Sequence, residues 1–325
     1  MGFSLGSLTA YNKQLLEPML TSAVIGAKTQ SLIMDGGIVI PKAKSVVQIP
    51  LIDTDVNFQT QNCVWNATDS TTFTQATITV GKIKVEESLC MKDLEAYFLQ
   101  EAVKQGSELD ETSAPIVVEK YLAKKSARIA AQLETAIWQG DTAATGTGSG
   151  NLNKFNGFQK ALGTGSSSIN ANTTGFVSGA TAAITTVTQA NVVACTEAIY
   201  KALPAAIATK SDCKIFVGYD WYRLLILAYR ALNLFAYNPQ DANAAGFILP
   251  GTNIEIVPVN GLNGTGDAYG LALSNMALAV DLEAEEQNYQ LWYNMNDNDV
   301  RFRCQFKVGV GVPFSSEAVR FEAAI

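Results

Sequence analysis

The chain has 325 residues and no histidine, which removes the commonest general base and the commonest transition-metal ligand. Its five cysteines form no CxxC pair, so neither a zinc cluster nor a disulfide framework is expected. A formal charge of −7 argues against a dedicated nucleic-acid binder, although not against a protein that encloses nucleic acid.

Only 16% of the residues are charged, although 48% are hydrophobic. A sparsely charged surface is typical of a subunit that is buried against other subunits, and a weakly charged monomer is the alternative. No stretch has the 18 or more apolar residues of a membrane helix. The first 20 residues lack a basic start followed by an apolar run, so we expect no signal peptide and no removed segment.

The amino-terminal region, residues 1–41, is predicted to be an arm with one short helix around Tyr11–Ile25, interrupted by Pro18. An edge strand is predicted over Val46–Ile52, because this apolar run contains Pro50. A polar stretch follows, and then an alternating segment over Gln75–Leu89. Its alternation changes parity around Gly81, which we interpret as a bulge. Two strands joined by about 25 polar residues predict a long, projecting hairpin.

The clearest predicted helix is Pro115–Gln139, with Ser113 as its cap and Gly140-Asp141 as its end. Its apolar residues recur at helical spacing and form one stripe: Val118, Leu122, Ile129, Leu133 and Ile137. Its basic residues cluster on another face: Lys120, Lys124, Lys125 and Arg128. At 1.5 Å per residue the helix is about 37 Å long.

Loops around a short segment, Phe155–Leu162, are predicted between residues 141 and 179. Helices and short strands then alternate, which predicts an α/β unit over residues 186–290. Helices are predicted at Gln189–Ala208 and Asp220–Leu234. Strands are predicted at Lys214–Val217, Phe247–Leu249, Ile254–Val259, Leu271–Val280 and Tyr289–Tyr293.

The last predicted strand, Val300–Val312, has an apolar residue at every even position. Its polar side carries Arg301, Arg303 and Lys307. Thirteen residues span roughly 40 Å, about twice the length of a usual strand. A strand of this length favours an extended subunit that reaches its neighbours.

The order of arm, long hairpin, long helix, glycine-rich stretch, α/β insertion and terminal strand resembles the HK97-fold major capsid proteins of tailed bacteriophages. Individual segments are most similar to capsid proteins of crAss-like phages. These segments are Cys63-Val-Trp65-Asn66, the run from Ile78 to Val85 with Cys90, and Asp299-Val-Arg301-Phe-Arg303 continuing to Val310. Trp138-Gln-Gly140-Asp141, followed by Asn156-Gly157-Phe158, is similar to the segment after the long helix in this fold.

The resemblance implies an α+β fold and a non-enzymatic subunit that self-assembles, as hexamers and pentamers, into an icosahedral shell around double-stranded DNA. The implied layout is an arm at 1–41, an E-loop hairpin at 42–92, a P-domain at 93–185, an A-domain at 186–290 and a P-domain return strand at 291–325. The implied partners are other copies of the chain together with portal, scaffolding and decoration proteins. The implied location is the virion, assembled in the bacterial cytoplasm, with no cofactor and no membrane.

Several residues are candidates for contacts between subunits through the hairpin: Asp53, Asp55, Cys63, Trp65, Lys82, Lys84 and Glu86. Trp65 either anchors the hairpin on a neighbour or folds back on its own hairpin. Lys82, Lys84 and Glu86, together with Glu87, are otherwise solvated or salt-bridging strand positions. Three interpretations stay open for the basic face of the long helix and for that of the last strand. Each face contacts packaged DNA, pairs with acidic residues of a neighbour, or is simply solvated.

Two acidic runs, Asp53 with Asp55 and Asp281 with Glu283, Glu285 and Glu286, are candidate calcium ligands. They lack the EF-hand pattern and are interpreted as solvated charge. The sequence contains no GxSxG, no P-loop and no GxGxxG after a strand, so no enzyme is expected. Two alternative functions stay open. One is an encapsulin-like compartment with enzyme cargo, and the other is a monomeric β-rich adhesin.

Overall fold

A computed structural model describes residues 28–61, 63, 65, 67–90, 113–145, 149–232, 247–281, 290–294, 297 and 299–325. The predicted helix around Tyr11–Ile25 lies outside these residues. The helices are α1 (Lys28–Gly36), α2 (Ser113–Gln139), α3 (Phe158–Leu162), α4 (Val192–Ala202), α5 (Ala205–Ala208) and α6 (Tyr219–Ala231). The first strands are β1 (Ile38–Ile40), β2 (Val46–Asp55), β3 (Ser70–Thr79), β4 (Gly81–Cys90), β5 (Ile169–Asn170) and β6 (Cys213–Gly218). The remaining strands are β7 (Phe247–Ile248), β8 (Glu255–Val259), β9 (Ala268–Ala272), β10 (Ala277–Val280), β11 (Gln290–Asn294), β12 (Asp299–Gly311) and β13 (Val319–Phe321).

The first sheet has five strands and is organised around β12, which confirms the predicted long strand to within one residue at each end. β4 pairs antiparallel with β12 from Cys90↔Asp299 to Gly81↔Val308. β10 and β11 pair with the other side of β12, and β1 adds a parallel strand beyond β10. Alternate residues of β12, such as Phe302 and Cys304, are buried because one face of the strand meets the core.

The long hairpin forms a separate two-stranded sheet of ten residue pairs, from Val46↔Thr79 to Asp55↔Ser70. The prediction of one bulged strand over Gln75–Leu89 is wrong, because β3 ends at Thr79 and β4 begins at Gly81 in another sheet. A Cβ atom on Gly81 would lie 2.2 Å from the carbonyl oxygen of Lys154. The change in parity therefore marks a change of sheet at a position that only glycine can occupy.

The long helix α2 runs from Ser113 to Gln139 and confirms the clearest helix of the sequence, although Ser113 is its first residue and not its cap. Among its predicted apolar stripe, Leu122, Ile129, Leu133 and Ile137 are buried, whereas the side chain of Val118 lies outside the described residues. Trp138 is fully buried, and its ring lies 5.2 Å from that of Phe158 and 5.3 Å from that of Phe216. The end of α2 therefore packs against α3 and the second sheet.

The second sheet has six strands in the order β5-β13-β9-β6-β8-β7. The single helix predicted over Gln189–Ala208 is two helices, because Pro204 lacks the N–H that a continuing helix requires. The single strand predicted over Leu271–Val280 is also wrong. A 3₁₀ turn at Leu273–Asn275 separates β9 in this sheet from β10 in the first.

Strands cross the predicted boundaries of the α/β unit. β5 and β13 come from outside residues 186–290 and join the second sheet, whereas β10 comes from inside this range and joins the first. The buried apolar side chains of the described residues form three clusters. One surrounds α2 and β12 and includes Phe216 of β6, one surrounds α4 and α6 and includes Ile215 and Val217 of β6, and a small one lies around Ile78 at the hairpin base. The division of the chain into domains stays a prediction.

Candidate assembly interface

The distal part of the hairpin is exposed on both faces. Ile52 and Phe73 lie opposite each other in the β2–β3 ladder and retain 60% and 75% of their exposed surface. Phe58 and Trp65, in the connection between the strands, are 101% and 93% exposed. Large apolar side chains that touch so little of their own chain form a surface suited to another molecule. Trp65 therefore does not fold back on its own hairpin.

The connection between β2 and β3 is braced by polar contacts. The backbone N–H of Asn57 donates to a carboxylate oxygen of Asp69 at 2.8 Å, and the Asn57 amide donates to the carbonyl oxygen of Thr68 at 3.2 Å. The side-chain amide of Gln59 donates to the hydroxyl of Thr68. These bonds hold the two arms of the tip together while Phe58 stays exposed.

The base of the hairpin is packed against the first sheet. Ile78 is 2% exposed and contacts Gly309 and Gly311 of β12, where any larger residue would meet its side chain. The backbone N–H of Val80 donates to the carbonyl oxygen of Ser45 at 2.7 Å. The hairpin thus has a buried base and an exposed distal half.

The predicted contact residues at the distal end have the exposure that the prediction requires. Asp53, Asp55, Cys63 and Trp65 are all exposed. Residues 46–79 contain three aspartates (Asp53, Asp55 and Asp69) and no lysine or arginine. The hairpin surface therefore carries negative charge beside a few exposed apolar side chains.

Lys84 and Glu86 of β4 form an ion pair within the chain, at 2.7 Å. Glu86 also lies 3.4 Å from Arg303 on the neighbouring strand β12. The hydrogen bond from Lys84 is the main reason why the pKa of Glu86 is below its ordinary value. Lys82 is exposed and lies opposite Lys307 in the ladder. These positions match the salt-bridging interpretation of β4 for Lys84 and Glu86.

The predicted basic face of α2 is partly neutralised by β4. Lys125 forms an ion pair with Glu87, which also accepts a 2.7 Å hydrogen bond from the hydroxyl of Tyr121. The bond from Lys125 is the main cause that lowers the pKa of Glu87. Lys124 and Arg128 are exposed, and the side chain of Lys120 lies outside the described residues.

The basic residues of β12 also have acidic partners. Arg301 pairs with Asp297 and Asp299, and Lys307 lies 2.7 Å from Asp281. The side chain of Asp281 has no exposed surface, so its interpretation as solvated charge is wrong. Sequence reasoning missed this pair because 26 residues separate its members, and only the register of β10 and β12 brings them together.

A buried carboxyl group, which the sequence analysis did not single out, joins α1 to α2. Glu134 is 3% exposed and accepts hydrogen bonds from the backbone N–H and the hydroxyl of Thr29. The indole N–H of Trp138 donates to the same hydroxyl at 2.7 Å. Burial is the largest effect on the pKa of Glu134 and raises it. This network fixes the segment that leads into β1.

Among the described residues, no group of three or more acidic or cysteine side chains is arranged to hold a metal ion. Within the same residues, no helix combines the length and apolar character that crossing a bilayer requires. Burial raises the pKa of the Cys195 and Cys213 thiols to about 11, whereas Cys63 is exposed at the hairpin tip.

Comparisons with known proteins find the same architecture at low sequence identity. No protein-family model and no curated protein matches the chain. A chain of the satellite phage P4 procapsid that includes the size determination (Sid) protein is 11% identical, with a TM-score of 0.56 over 96% of this chain and 90% of that chain. A chain of the native GTA particle capsid is 12% identical, with a TM-score of 0.55 over 94% and 91%. A chain of Mycobacterium phage Ogopogo is 12% identical, with a TM-score of 0.54 over 90% and 91%. At these identities the likeness shows a shared fold.

Proposed function

We propose that this chain, which has the mixed α+β HK97-like capsid fold, is a major capsid protein. Its role is the non-enzymatic one of building an icosahedral head shell around phage double-stranded DNA. The observation that carries the proposal is the hairpin of β2 and β3, which is anchored at Ile78 and displays Ile52, Phe73, Phe58 and Trp65 to solvent.

The β2–β3 hairpin needs a partner surface to be stable. An isolated pair of strands is marginally stable in water, because it has no core of its own. The distal half of this hairpin buries nothing within the chain, yet it keeps large apolar side chains at Ile52 and Phe73. Burial against a neighbouring copy supplies the missing core. Many such contacts, each modest alone, then add up over a closed shell.

Within this proposal, the layout of the chain follows the capsid proteins that it resembles. Residues 1–41 act as an arm, 42–92 as the E-loop, 93–185 with 291–325 as the P-domain, and 186–290 as the A-domain around the symmetry axes. The segments quoted above favour the capsid proteins of crAss-like phages as the nearest group. Portal, scaffolding and decoration proteins are the further partners.

Contact with packaged DNA is proposed to be non-specific. Lys125, Arg301 and Lys307 each have an acidic partner within the chain, which reduces their ability to neutralise phosphates. Lys124 and Arg128 are exposed and are the candidates for such contacts. Phosphate contacts of this kind are independent of sequence and weaken as the salt concentration rises.

Electron microscopy of the purified chain tests the proposal. Icosahedral particles are expected, and their diameter gives the copy number. Deletion of residues 53–74 is expected to leave a folded subunit that forms no shell. A chain that sediments as a single 34.8 kDa species and never assembles contradicts the proposal and favours the adhesin. Particles that copurify with an enzyme cargo favour the compartment.

A further inference from the structure

The start of α1 connects the first core to the second sheet. The ammonium group of Lys28 donates a 2.7 Å hydrogen bond to the carbonyl oxygen of Pro258 in β8, and it lies 6.0 Å from the ring centroid of Tyr219 in α6. The next residue, Thr29, bonds through its backbone N–H and its hydroxyl to the carboxylate of Glu134 in α2. Two consecutive residues therefore hold the long helix and the second sheet together.

The contact between α2 and the second sheet is tight beside these residues. The side-chain amide of Gln139 donates a 2.6 Å hydrogen bond to the carbonyl oxygen of Gly261, in the 3₁₀ turn that follows β8. A Cβ atom on Gly261 would lie 2.3 Å from the ring of Trp138 and 2.4 Å from the backbone oxygen of Glu134. The indole N–H of Trp138 donates in turn to the hydroxyl of Thr29. A movement of the second sheet relative to α2 therefore disturbs all of these contacts.

Glu134 carries a charge into the middle of this junction. It is 3% exposed, and the described groups that donate to its carboxylate are two neutral ones, the N–H and the hydroxyl of Thr29. Lys28 acts on it through its charge while it donates to Pro258. These groups and the amino-terminal end of α1 favour the ionised carboxylate. Burial has the largest effect and opposes them, so the pKa of Glu134 is above its ordinary value.

We infer that Glu134 makes the start of α1 a proton-controlled clamp between α2 and the second sheet. The clamp is held most firmly when Glu134 is protonated, and it opens more readily when Glu134 is ionised. A protonated Glu134 still accepts from the N–H of Thr29 and can donate its own proton to the hydroxyl oxygen of the same residue, so no charge stays buried. An ionised Glu134 gains contact with water when the clamp opens. The inference goes beyond the proposed function, because it concerns a conformational change of the subunit itself.

The direction of the pH effect follows from the two states of the clamp. Opening returns the pKa of Glu134 towards its ordinary value of 4.5, whereas the closed clamp keeps this pKa raised. The closed clamp therefore holds its proton to a higher pH than the open clamp does. Opening is rarest below the ordinary pKa, becomes more frequent as the pH rises towards the raised pKa, and changes no further above it.

The other charged groups at the junction act mainly on Lys28. Burial is the largest effect on the pKa of Lys28 and lowers it, whereas the charge of Glu255 in β8 raises it. Glu255 is itself paired with Lys214 of β6. The 3₁₀ turn Asn260–Leu262, which packs on α2, has no ionisable side chain. Between about pH 5 and pH 7.5, Glu134 is therefore the group whose proton controls the clamp.

Hydrogen exchange of the α1 amides tests the inference, because local opening sets their rate of exchange. After correction for the intrinsic effect of pH, exchange over Lys28–Gly36 in the wild-type chain is expected to be slower at about pH 5 than at about pH 7.5. Glu134→Gln reproduces the hydrogen bonds of the protonated acid and cannot ionise. We expect this variant to exchange about tenfold more slowly than the wild type at about pH 7.5, and to lose the dependence on pH.

The matched control is Glu197→Gln, at an exposed position of helix α4. This variant removes one carboxylate at a distance from the junction and is expected to keep the wild-type exchange of α1 at both pH values. The wild-type measurement stands on its own, so the inference remains testable if the Glu134 variant fails to fold. Electron microscopy of the same preparations reports shell formation separately.

Several results overturn the inference. One is wild-type exchange of α1 that is independent of pH or faster at the lower pH. Another is a dependence on pH that persists in Glu134→Gln, because it assigns the effect to a different group. A third is Glu134→Gln that opens more readily than the wild type at about pH 7.5, because the ionised carboxylate then holds the junction closed. Each of these results leaves the proposed function intact, whereas a chain that forms no particles overturns the proposed function alone.

Discussion

Replacing both Ile52 and Phe73 by serine is expected to weaken assembly strongly without destabilising the folded subunit. The two side chains face each other on the hairpin and keep 75% and 60% of their surface exposed. They contribute little to the fold of the free subunit, so the double variant is expected to change its free energy of unfolding by about 0.5 kcal/mol or less.

The effect on assembly follows from the area that these side chains still have to bury. Complete burial of one large apolar side chain is worth about 1.5–3 kcal/mol, and the exposed fractions leave roughly 2–4 kcal/mol for the pair. Each 1.4 kcal/mol corresponds to a tenfold change in an equilibrium constant, so the association constant per hairpin is expected to fall about 30- to 1000-fold. Sedimentation velocity across a concentration series measures this fall as a rise in the concentration at which particles form.

The matched control is Ile78→Ser on the same strand. Ile78 is 2% exposed and belongs to the cluster that anchors the hairpin base, so this change is expected to cost about 2–5 kcal/mol of subunit stability. Thermal and urea unfolding separate the two behaviours. Normal particle formation by the Ile52 and Phe73 double variant refutes the reasoning, and so does a loss of subunit stability equal to that of the Ile78 variant.

Three further predictions concern the subunit itself. Gly81→Val is expected to abolish soluble expression, because its Cβ would lie 2.2 Å from the backbone oxygen of Lys154; recovery of normally folded protein on purification contradicts this. Thr29→Val removes the hydroxyl that bridges the buried carboxyl and indole groups, and urea unfolding is expected to show a loss of about 1–3 kcal/mol. The pKa of Glu87 is lowered by Lys125, so this pair stabilises the fold above the ordinary value of 4.5, and its contribution is lost as the pH falls through the lowered pKa. Unfolding measured between about pH 6 and pH 3 is expected to depend less on pH in Lys125→Met, and an unchanged slope excludes the pair as its source.

The sequence predicted the longest elements well, because their patterns repeat over many residues. The alternation from Val300 to Val312 corresponds to β12 to within one residue at each end, and the apolar stripe around Leu133 corresponds to α2. Burial of one face alone produces such a pattern in the sequence, so the element can be predicted without knowing its distant partners.

The changes between sheets could not be predicted from local pattern alone. A shift in parity at Gly81 is equally compatible with a bulge and with a change of sheet. The change of sheet is shown only by the pairing of β4 with β12 and by the close approach of the Lys154 backbone to Gly81. The apolar run over Leu271–Val280 likewise hides a 3₁₀ turn, which is fixed by two hydrogen bonds between Asn275 and Phe314, 39 residues away.

The ion-pair partners of the charged residues could not be predicted from the sequence either. Lys307 and Asp281 meet because β10 lies beside β12, and Lys125 meets Glu87 because α2 packs against β4. In both cases the charge itself was visible in the sequence and its neutralisation was not. The projecting hairpin, by contrast, was predicted from its polar connection, although the sequence left open whether Trp65 folds back on it.

The junction at Gly81 has a mechanical consequence. The hairpin joins the body of the subunit through a narrow base, where Val80 bonds to Ser45 and two glycines of β12 meet Ile78. Ten residue pairs extend from that base for about 33 Å, so a rotation of about 10° there moves the far end by about 6 Å. In the proposed shell, one polypeptide could thus contact neighbours set at slightly different angles without refolding its cores.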